Sequence, residues 1–172
     1  MGLFRAFTEI VLPFSISLLV VILYFLFAFD SESLAKRITT INSSISTVIA
    51  IQVGFNITSL ALIASFGKQT AQQTFRSSTE DERKTNMNQI ISSFVYGITI
   101  YFIVLVLGVI HLTLLEPLSI ANAFTNIQIS YLNILKLFYL FSWCFFILHG
   151  FAVFLRNVIL IQLYLLVNVK NE

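Results

Sequence analysis

The side chains best suited to chemistry in this sequence are two histidines and one cysteine. His111 and His149 could hold a metal ion or relay a proton, and Cys144 could act as a thiolate. The two histidines fall on separate apolar segments at different expected depths, with no carboxylate or second thiol nearby. Isolated histidines on apolar helices are more often hydrogen-bonded than ligating, and Cys144 beside Trp143 is typical of packing. We therefore expect no metal site and no cofactor.

Signatures of catalysis are also missing from the sequence. It has no Ser/His/Asp set in plausible register, no CxxC, no glycine-rich phosphate loop and no paired carboxylates within an apolar segment. It has no internal repeat of the transporter kind. We expect no catalytic residues and no enzymatic activity. A net charge of +2 is too small to suggest direct nucleic-acid binding.

Side-chain amides and hydroxyls, which can form hydrogen bonds, lie within the apolar stretch 41–66. Amides are costly in lipid, so they should face protein or water. They predict either hydrogen bonds between helices or the lining of a pore, and the sequence leaves both open. The members of this polar stripe are Asn42, Gln52, Asn56 and Ser59, with Ser46 beside them and Arg156 as a further candidate on the last helix.

A second pattern in the same stretch is a seam of small residues at steps of three or four. Small residues let helix backbones approach closely, which is how transmembrane helices associate. The seam predicts packing either within the chain or between protomers of a homo-oligomer. Its members are Ser43, Thr47, Ala50, Gly54, Thr58 and Ala61.

Arg156 is the most informative single charge, because 19 uncharged residues separate it from Lys136. In one register both bases reach opposite membrane interfaces, which is their ordinary structural role. In the other register the helix slides inward and Arg156 approaches mid-membrane, near Gln52 and Asn56. The second register would indicate gating or an ion pathway.

The elements that must position these side chains are transmembrane helices. Hydrophobic residues make up 58% of the chain and charged residues 10%, against about 25% charged in a soluble domain. Helices satisfy their own backbone groups in lipid, and about 20 apolar residues cross the hydrocarbon core. We predict an all-α integral membrane four-helix bundle as a single domain, 1–172, with spans at 10–29, 41–66, 91–115 and 137–157.

The distribution of Lys and Arg predicts the orientation of these spans. Six bases fall on the side that holds both termini and the 67–90 segment, namely Arg5, Lys68, Arg76, Arg83, Lys84 and Lys170. Two, Lys36 and Arg37, fall on the other, with Lys136 and Arg156 left uncounted. By the positive-inside rule both termini are cytoplasmic. We predict a multi-pass protein of the bacterial inner (cytoplasmic) membrane, with helices 2, 3 and 4 extending into the cytosol.

The segment 67–90 concentrates the charge of this apolar chain. Ser77-Ser78-Thr79 precedes a run of acids, so Thr79 with Glu82 could form a capping box that starts the third helix. This favours a helical hairpin turning near Ser77, and a flexible solvated loop is the alternative. Its mixed charge offers a surface to a cytosolic partner. The candidate docking residues are Arg76, Glu80, Asp81, Glu82, Arg83 and Lys84.

The overall layout resembles that of small four-helix membrane proteins of antiphage systems. It combines a short N-terminus, the Ser/Thr-rich span "STVIAIQVGFNITSLALIASFG", a charged hairpin, a third span, and a long apolar fourth helix ending in "LLVNVKNE". Two such proteins are the membrane subunit of the Kiwa defence system and the membrane protein of the phage-lambda Rex exclusion system. The likeness is one of topology, so no functional residue is carried over from either.

These two resemblances imply different functions. Likeness to the Kiwa subunit implies an oligomeric membrane sensor that holds a cytosolic, nucleic-acid-acting effector. Likeness to the Rex protein implies an ion channel that depolarises the infected cell. We expect a homo-oligomeric scaffold and sensor in phage defence that recruits a cytosolic effector. The channel is the alternative, and an accessory subunit of a larger envelope complex is a third possibility. The oligomer number, the partner and the trigger do not follow from the sequence.

Overall fold

The chain is helical wherever its structure is described. The computed structural model describes the backbone of residues 7–27, 31–74, 80–115 and 130–169, and the side chains within 7–26, 37–65, 87–114 and 134–163. The α-helices are α1 (Leu12–Phe27), α2 (Ser31–Thr74), α3 (Glu80–Ile110) and α4 (Ser130–Val169). A π-helical turn, Phe7–Val11, precedes α1, and another, His111–Leu115, follows α3.

Four helical stretches are long and apolar enough to cross a membrane. They are Phe7–Leu26, Arg37–Ser65, Met87–Leu114 and Ile134–Leu163. The predicted all-helical chain with four membrane-length helices is confirmed at this level. The last stretch is longer than the predicted span 137–157 because it continues beyond Arg156. Insertion into a membrane and the sides of the termini stay predictions.

The helices are organised in two compact units. Unit 1 comprises Met1–Ile49 and Ile100–Gly150, and unit 2 comprises Ala50–Thr99 and Phe151–Glu172. Helix α1 belongs to unit 1 alone, whereas α2, α3 and α4 contribute residues to both units. The prediction that residues 1–172 behave as one domain is not tested by this division and stays a prediction.

The core of unit 1 lies where α1, α2, α3 and α4 supply aromatic and branched side chains. Its buried members are Ile38, Tyr139, Leu140 and Trp143, against which Val21, Tyr24, Ile45, Leu107, Cys144 and Ile147 pack. Helix α1 is held further by edge-to-face contacts of Phe14 with Phe141 and Phe145, whose ring centroids are 5.2 and 6.4 Å away. Such aromatic contacts stabilise helix pairs by dispersion, which acts in lipid as well as in water.

The core of unit 2 is smaller and contains fewer aromatic rings. Its buried members are Ile63, Phe94 and Ile161, with Phe55, Leu60, Met87 and Ile90 packed around them. Outside both cores, large apolar side chains stay exposed, including Phe102 and Phe138 at about two-thirds of their surface (66% and 67%). That pattern suits hydrocarbon as the surrounding solvent, since a soluble protein rarely exposes so many large apolar groups.

Candidate functional site

The polar stripe of α2 faces inward. The exposed fractions of Asn42, Gln52, Asn56 and Ser59 are 6%, 5%, 0% and 5%. Because an α-helix turns every 3.6 residues, these positions fall on one side of α2, which also carries the buried Ile38, Ile49 and Ile63. Helix α2 therefore buries its amides together with the apolar residues of the same face.

In unit 2 this stripe joins a chain of hydrogen bonds between three helices. Nη2 of Arg156 on α4 donates to Oγ of Ser93 on α3 at 2.7 Å, and that hydroxyl donates to Oδ1 of Asn157 at 2.9 Å. Nδ2 of Asn157 donates to Oδ1 of Asn56 on α2 at 3.1 Å, and also lies 3.4 Å from the Ser93 carbonyl oxygen. Asn157 is fully buried, so it connects α2 and α3 from the interior of the unit.

A glycine of α3 makes room for these amides. A Cβ atom placed on Gly97 would lie 3.0 Å from Nδ2 of Asn157, 3.2 Å from Nδ2 of Asn56 and 3.5 Å from a methyl group of Val153. Two amides thus occupy the space that a larger residue would fill. The close approach explains why glycine, ordinarily unfavourable in a helix interior, suits this position.

Asn56 uses only part of its hydrogen-bonding capacity. Its Oδ1 accepts from Asn157, but its Nδ2 has no hydrogen-bond partner within the described part of the chain, although the residue is fully buried. A buried donor without an acceptor is destabilising by about 1–3 kcal/mol. The network of unit 2 is therefore richer in donors than in acceptors at its α2 end.

Unit 1 uses the same combination of polar side chain and glycine. Nδ2 of Asn42 points at the carbonyl oxygen of Gly108 from 3.5 Å, a long hydrogen bond. A Cβ on Gly108 would come within 2.7 Å of Oδ1 of Asn42. The Tyr101 hydroxyl donates to the carbonyl oxygen of Gly150 at 2.8 Å, and a Cβ on Gly150 would lie 2.9 Å from the Tyr101 ring. In both pairs a glycine admits the side chain that bonds to its own carbonyl group.

Both histidines take part in packing within unit 1. Nε2 of His111 lies 3.4 Å from the hydroxyl of Thr39, and its ring stacks on Tyr139, whose hydroxyl donates to the Leu107 carbonyl oxygen at 3.0 Å. Nδ1 of His149 bonds to the backbone carbonyl oxygen of Glu9. Among the described residues no three metal-ligating side chains gather. The two histidines thus tie α2, α4 and the N-terminal π-helical turn together.

The small-residue seam lies on the outside of α2. Its six members, Ser43, Thr47, Ala50, Gly54, Thr58 and Ala61, are all exposed. A Cβ on Gly54 would meet nothing within 4 Å. The hydroxyl of Thr47 turns back to the Ser43 carbonyl oxygen at 3.4 Å, so the donor of this exposed threonine is satisfied within its own helix.

Arg156 lies on the same level of unit 2 as Asn56, because its neighbour Asn157 bonds to Asn56 and it bonds to Ser93 itself. It also falls within the membrane-length stretch Ile134–Leu163. These contacts place Arg156 near Asn56, and the choice between the two predicted registers in a membrane stays a prediction. The depth of Arg156 in a bilayer stays a prediction.

The predicted docking residues lie outside the described side chains. Arg76 falls in 75–79, for which no structure is described, and so does the expected turn near Ser77. Glu80, Asp81, Glu82, Arg83 and Lys84 belong to the first turns of α3, but nothing is described of their side chains. Acids in the first turn of a helix suit its dipole, and the docking role itself stays a prediction.

Several residues of these contacts were not singled out from the sequence, among them Ser93, Gly97, Tyr101, Gly150 and Asn157. A usable signal was present for Asn157, since an amide within an apolar helix must find a partner. No comparable signal marks Tyr101 or Ser93, because both residue types are common in transmembrane helices.

Comparison of the chain with models of protein families, with curated proteins and with solved structures finds no match.

Proposed function

We propose that this chain is a membrane-embedded scaffold and sensor subunit of a bacterial antiphage defence system. It crosses the cytoplasmic membrane with both termini inside, assembles into a homo-oligomer, and recruits a cytosolic effector that acts on nucleic acid. One observation carries the proposal. Helix α2 turns its amides inward and leaves its seam of small residues uncovered on the outside.

The uncovered seam supports association with a second copy. Helices in lipid gain little from burying apolar side chains, so they associate where small residues allow close backbone contact. The exposed seam repeats along α2 from Ser43 to Ala61, and none of the described side chains comes within 4 Å of a Cβ placed on Gly54. A second copy that presents the same face would form a self-complementary contact, as a two-fold symmetric interface requires.

The inward amides support a scaffold more than a conducting path. Asn56 and Asn157 bond to each other, and Asn42 lies against Gly108. Side chains engaged in this way hold helices together within each unit. They therefore hold α2 in one orientation, with its outer face exposed to a second protomer.

The charged segment 67–90 supports recruitment of a cytosolic partner. Helix α2 continues past Phe66 to Thr74, and α3 begins at Glu80, so both helices extend beyond the predicted spans 41–66 and 91–115. Under the proposed orientation these extensions enter the cytosol, where their mixed charge would give a partner specificity.

Cross-linking at the seam tests the homo-oligomer. In a Cys144→Ser background, which removes the single native thiol, we expect Thr58→Cys to form a disulfide-linked dimer in membranes. Ile57→Cys is the matched control, because Ile57 is also exposed but lies about 100° around the helix. Equal yields at both positions would indicate random collision and contradict the proposed interface.

Charge reversal tests recruitment. We expect Arg76→Glu, Arg83→Glu and Lys84→Glu together to abolish recovery of the cytosolic partner in quantitative pull-downs, because the surface would then repel an acidic partner patch. Lys36→Glu with Arg37→Glu is the control, since these bases lie on the opposite predicted side. Unchanged partner recovery in the triple variant would rule out the docking role.

A channel that depolarises the cell is the alternative function. The observation that favours it is Arg156, which lies within an apolar stretch and bonds to Ser93 at the level of Asn56, because charged groups at such positions commonly mark ion pathways. Ionic current across planar bilayers containing the purified protein, altered by Asn56→Leu, would favour this alternative. Silent bilayers under all triggers would count against it.

A further inference from the structure

The orientation of α2 about its own axis decides which face a second copy meets. At about 100° per residue, Gly54 and Thr58 lie some 160° from Asn56, almost on the opposite side of the helix. In lipid the hydrophobic effect does not determine which apolar face of a helix is buried, because a leucine or isoleucine is about as stable in hydrocarbon as in a protein interior. Polar contacts must therefore fix the rotation of α2.

In unit 2 the described hydrogen bond that joins an α2 side chain to another helix is the one between Asn157 and Asn56. Nδ2 of Asn157 donates to Oδ1 of Asn56, and both amides fill the space beside Gly97. Asn157 is itself held by the Ser93 hydroxyl at 2.9 Å. It is therefore anchored on α3 and α4 before it reaches α2.

The amide of Asn56 is only partly satisfied by this contact. Its Nδ2 has no acceptor within the described residues, although the side chain is fully buried. Without Asn157 the whole amide would lack a partner. An amide in that position gains from any rotation of α2 that brings it to a new acceptor, and the polar groups of a second copy would supply one.

We propose that Asn157 is a positioning residue that sets the rotation of α2 and thereby selects the small-residue seam as the face presented to a second copy of the chain. The inference rests on the proposed homo-oligomer. Loss of Asn157 turns the polar stripe toward the second copy and turns the seam away. In the dimer of this variant we expect the α2 helices of the two copies to contact each other through their amides instead of through their small residues.

Disulfide cross-linking in the Cys144→Ser background measures this rotation between protomers. With Asn157 present, Thr58→Cys forms dimers and the buried Ser59→Cys does not. With Asn157→Leu added, we expect the ratio of Thr58 to Ser59 cross-linked dimer to fall by roughly threefold or more, the scale set by loss of one average hydrogen bond between helices in a membrane.

A second reporter measures the rotation within one protomer. Ile63 and Ile161 belong to the same buried cluster of unit 2, so a short bifunctional thiol reagent should link the pair Ile63→Cys with Ile161→Cys within one chain, and Asn157→Leu should reduce the yield of this link. This reporter does not depend on oligomerisation. Absence of any Thr58 dimer with a normal response of the intramolecular pair would overturn the homo-oligomer and leave the positioning role of Asn157 standing.

Two further variants separate positioning from a general loss of structure. Asn88→Leu removes an exposed amide from the same unit and should change neither reporter. Asn56→Leu combined with Asn157→Leu removes both amides, so no hydrogen bond fixes the rotation of α2 and no unpartnered amide directs it elsewhere. The ratio should then fall between those of the parent protein and of Asn157→Leu. Unchanged ratios in Asn157→Leu, or full restoration of the parent ratio in the double variant, would overturn the positioning role.

Discussion

Replacing Gly150 by alanine is expected to destabilise the protein by about 1–2 kcal/mol, although the same change at Gly54 should stabilise it slightly. A Cβ on Gly150 would lie 2.9 Å from the ring of Tyr101, which is almost fully buried and cannot swing aside. Displacing the ring also stretches the 2.8 Å bond from its hydroxyl to the Gly150 carbonyl oxygen. Overpacking of this kind is destabilising by about 1–3 kcal/mol, offset by up to about 1 kcal/mol from the better helix propensity of alanine.

Gly54→Ala is the matched control because no atom of the described residues lies within 4 Å of the added methyl group. Unfolding of both variants can be followed in mixed micelles by the fluorescence of the single tryptophan, Trp143, which is buried in the core of unit 1. We expect the two midpoints to move in opposite directions. Equal shifts would show that the Tyr101–Gly150 contact is not tightly packed.

Asn157→Leu is expected to be more destabilising than Asn56→Leu, by about 1–2 kcal/mol. Removing Asn157 takes a partner from both Ser93 and Asn56 and leaves the Asn56 amide buried without a bond. Removing Asn56 costs one hydrogen bond, worth about 0.6 kcal/mol on average between helices in a membrane. It also eliminates the buried Nδ2 that has no partner among the described residues.

The double variant completes this comparison. Because the two side chains interact, we expect Asn56→Leu to cost less, or even to stabilise, when Asn157 is already leucine. Unfolding free energies of the four proteins give the coupling directly. Additive effects of the two substitutions would contradict the described bond between the amides.

In both units a glycine on one helix makes room for a polar side chain from another helix. Gly97 receives Asn56 and Asn157, Gly108 receives Asn42, and Gly150 receives Tyr101. In each case a missing Cβ lets a polar side chain come close to a neighbouring helix, and in two of them it bonds to the carbonyl group of that glycine. Such bonds supply the specificity that apolar packing cannot supply in lipid.

Much of the fold follows from composition alone. Four stretches long and apolar enough to cross a membrane are visible in the sequence because only helices satisfy the backbone in hydrocarbon. The continuation of the last helix beyond its predicted span, 137–157, also agrees with the sequence-based expectation, because α4 runs past Arg156 to Val169. A single charge that finds a hydrogen-bond partner does not terminate a helix. The location of this extension in the cytosol stays a prediction.

The sequence by itself determined that α2 carries two unlike faces, one with amides around Asn56 and one with small residues around Gly54. It could not decide which face turns inward, because both are compatible with close helix packing and lipid exerts no hydrophobic preference between them. The tertiary structure decided this through Asn157 and Gly97, which come from distant parts of the chain and meet Asn56 only in the folded unit. Hydrogen bonding between helices, which no local pattern records, therefore directs the amides inward and leaves the seam on the outside.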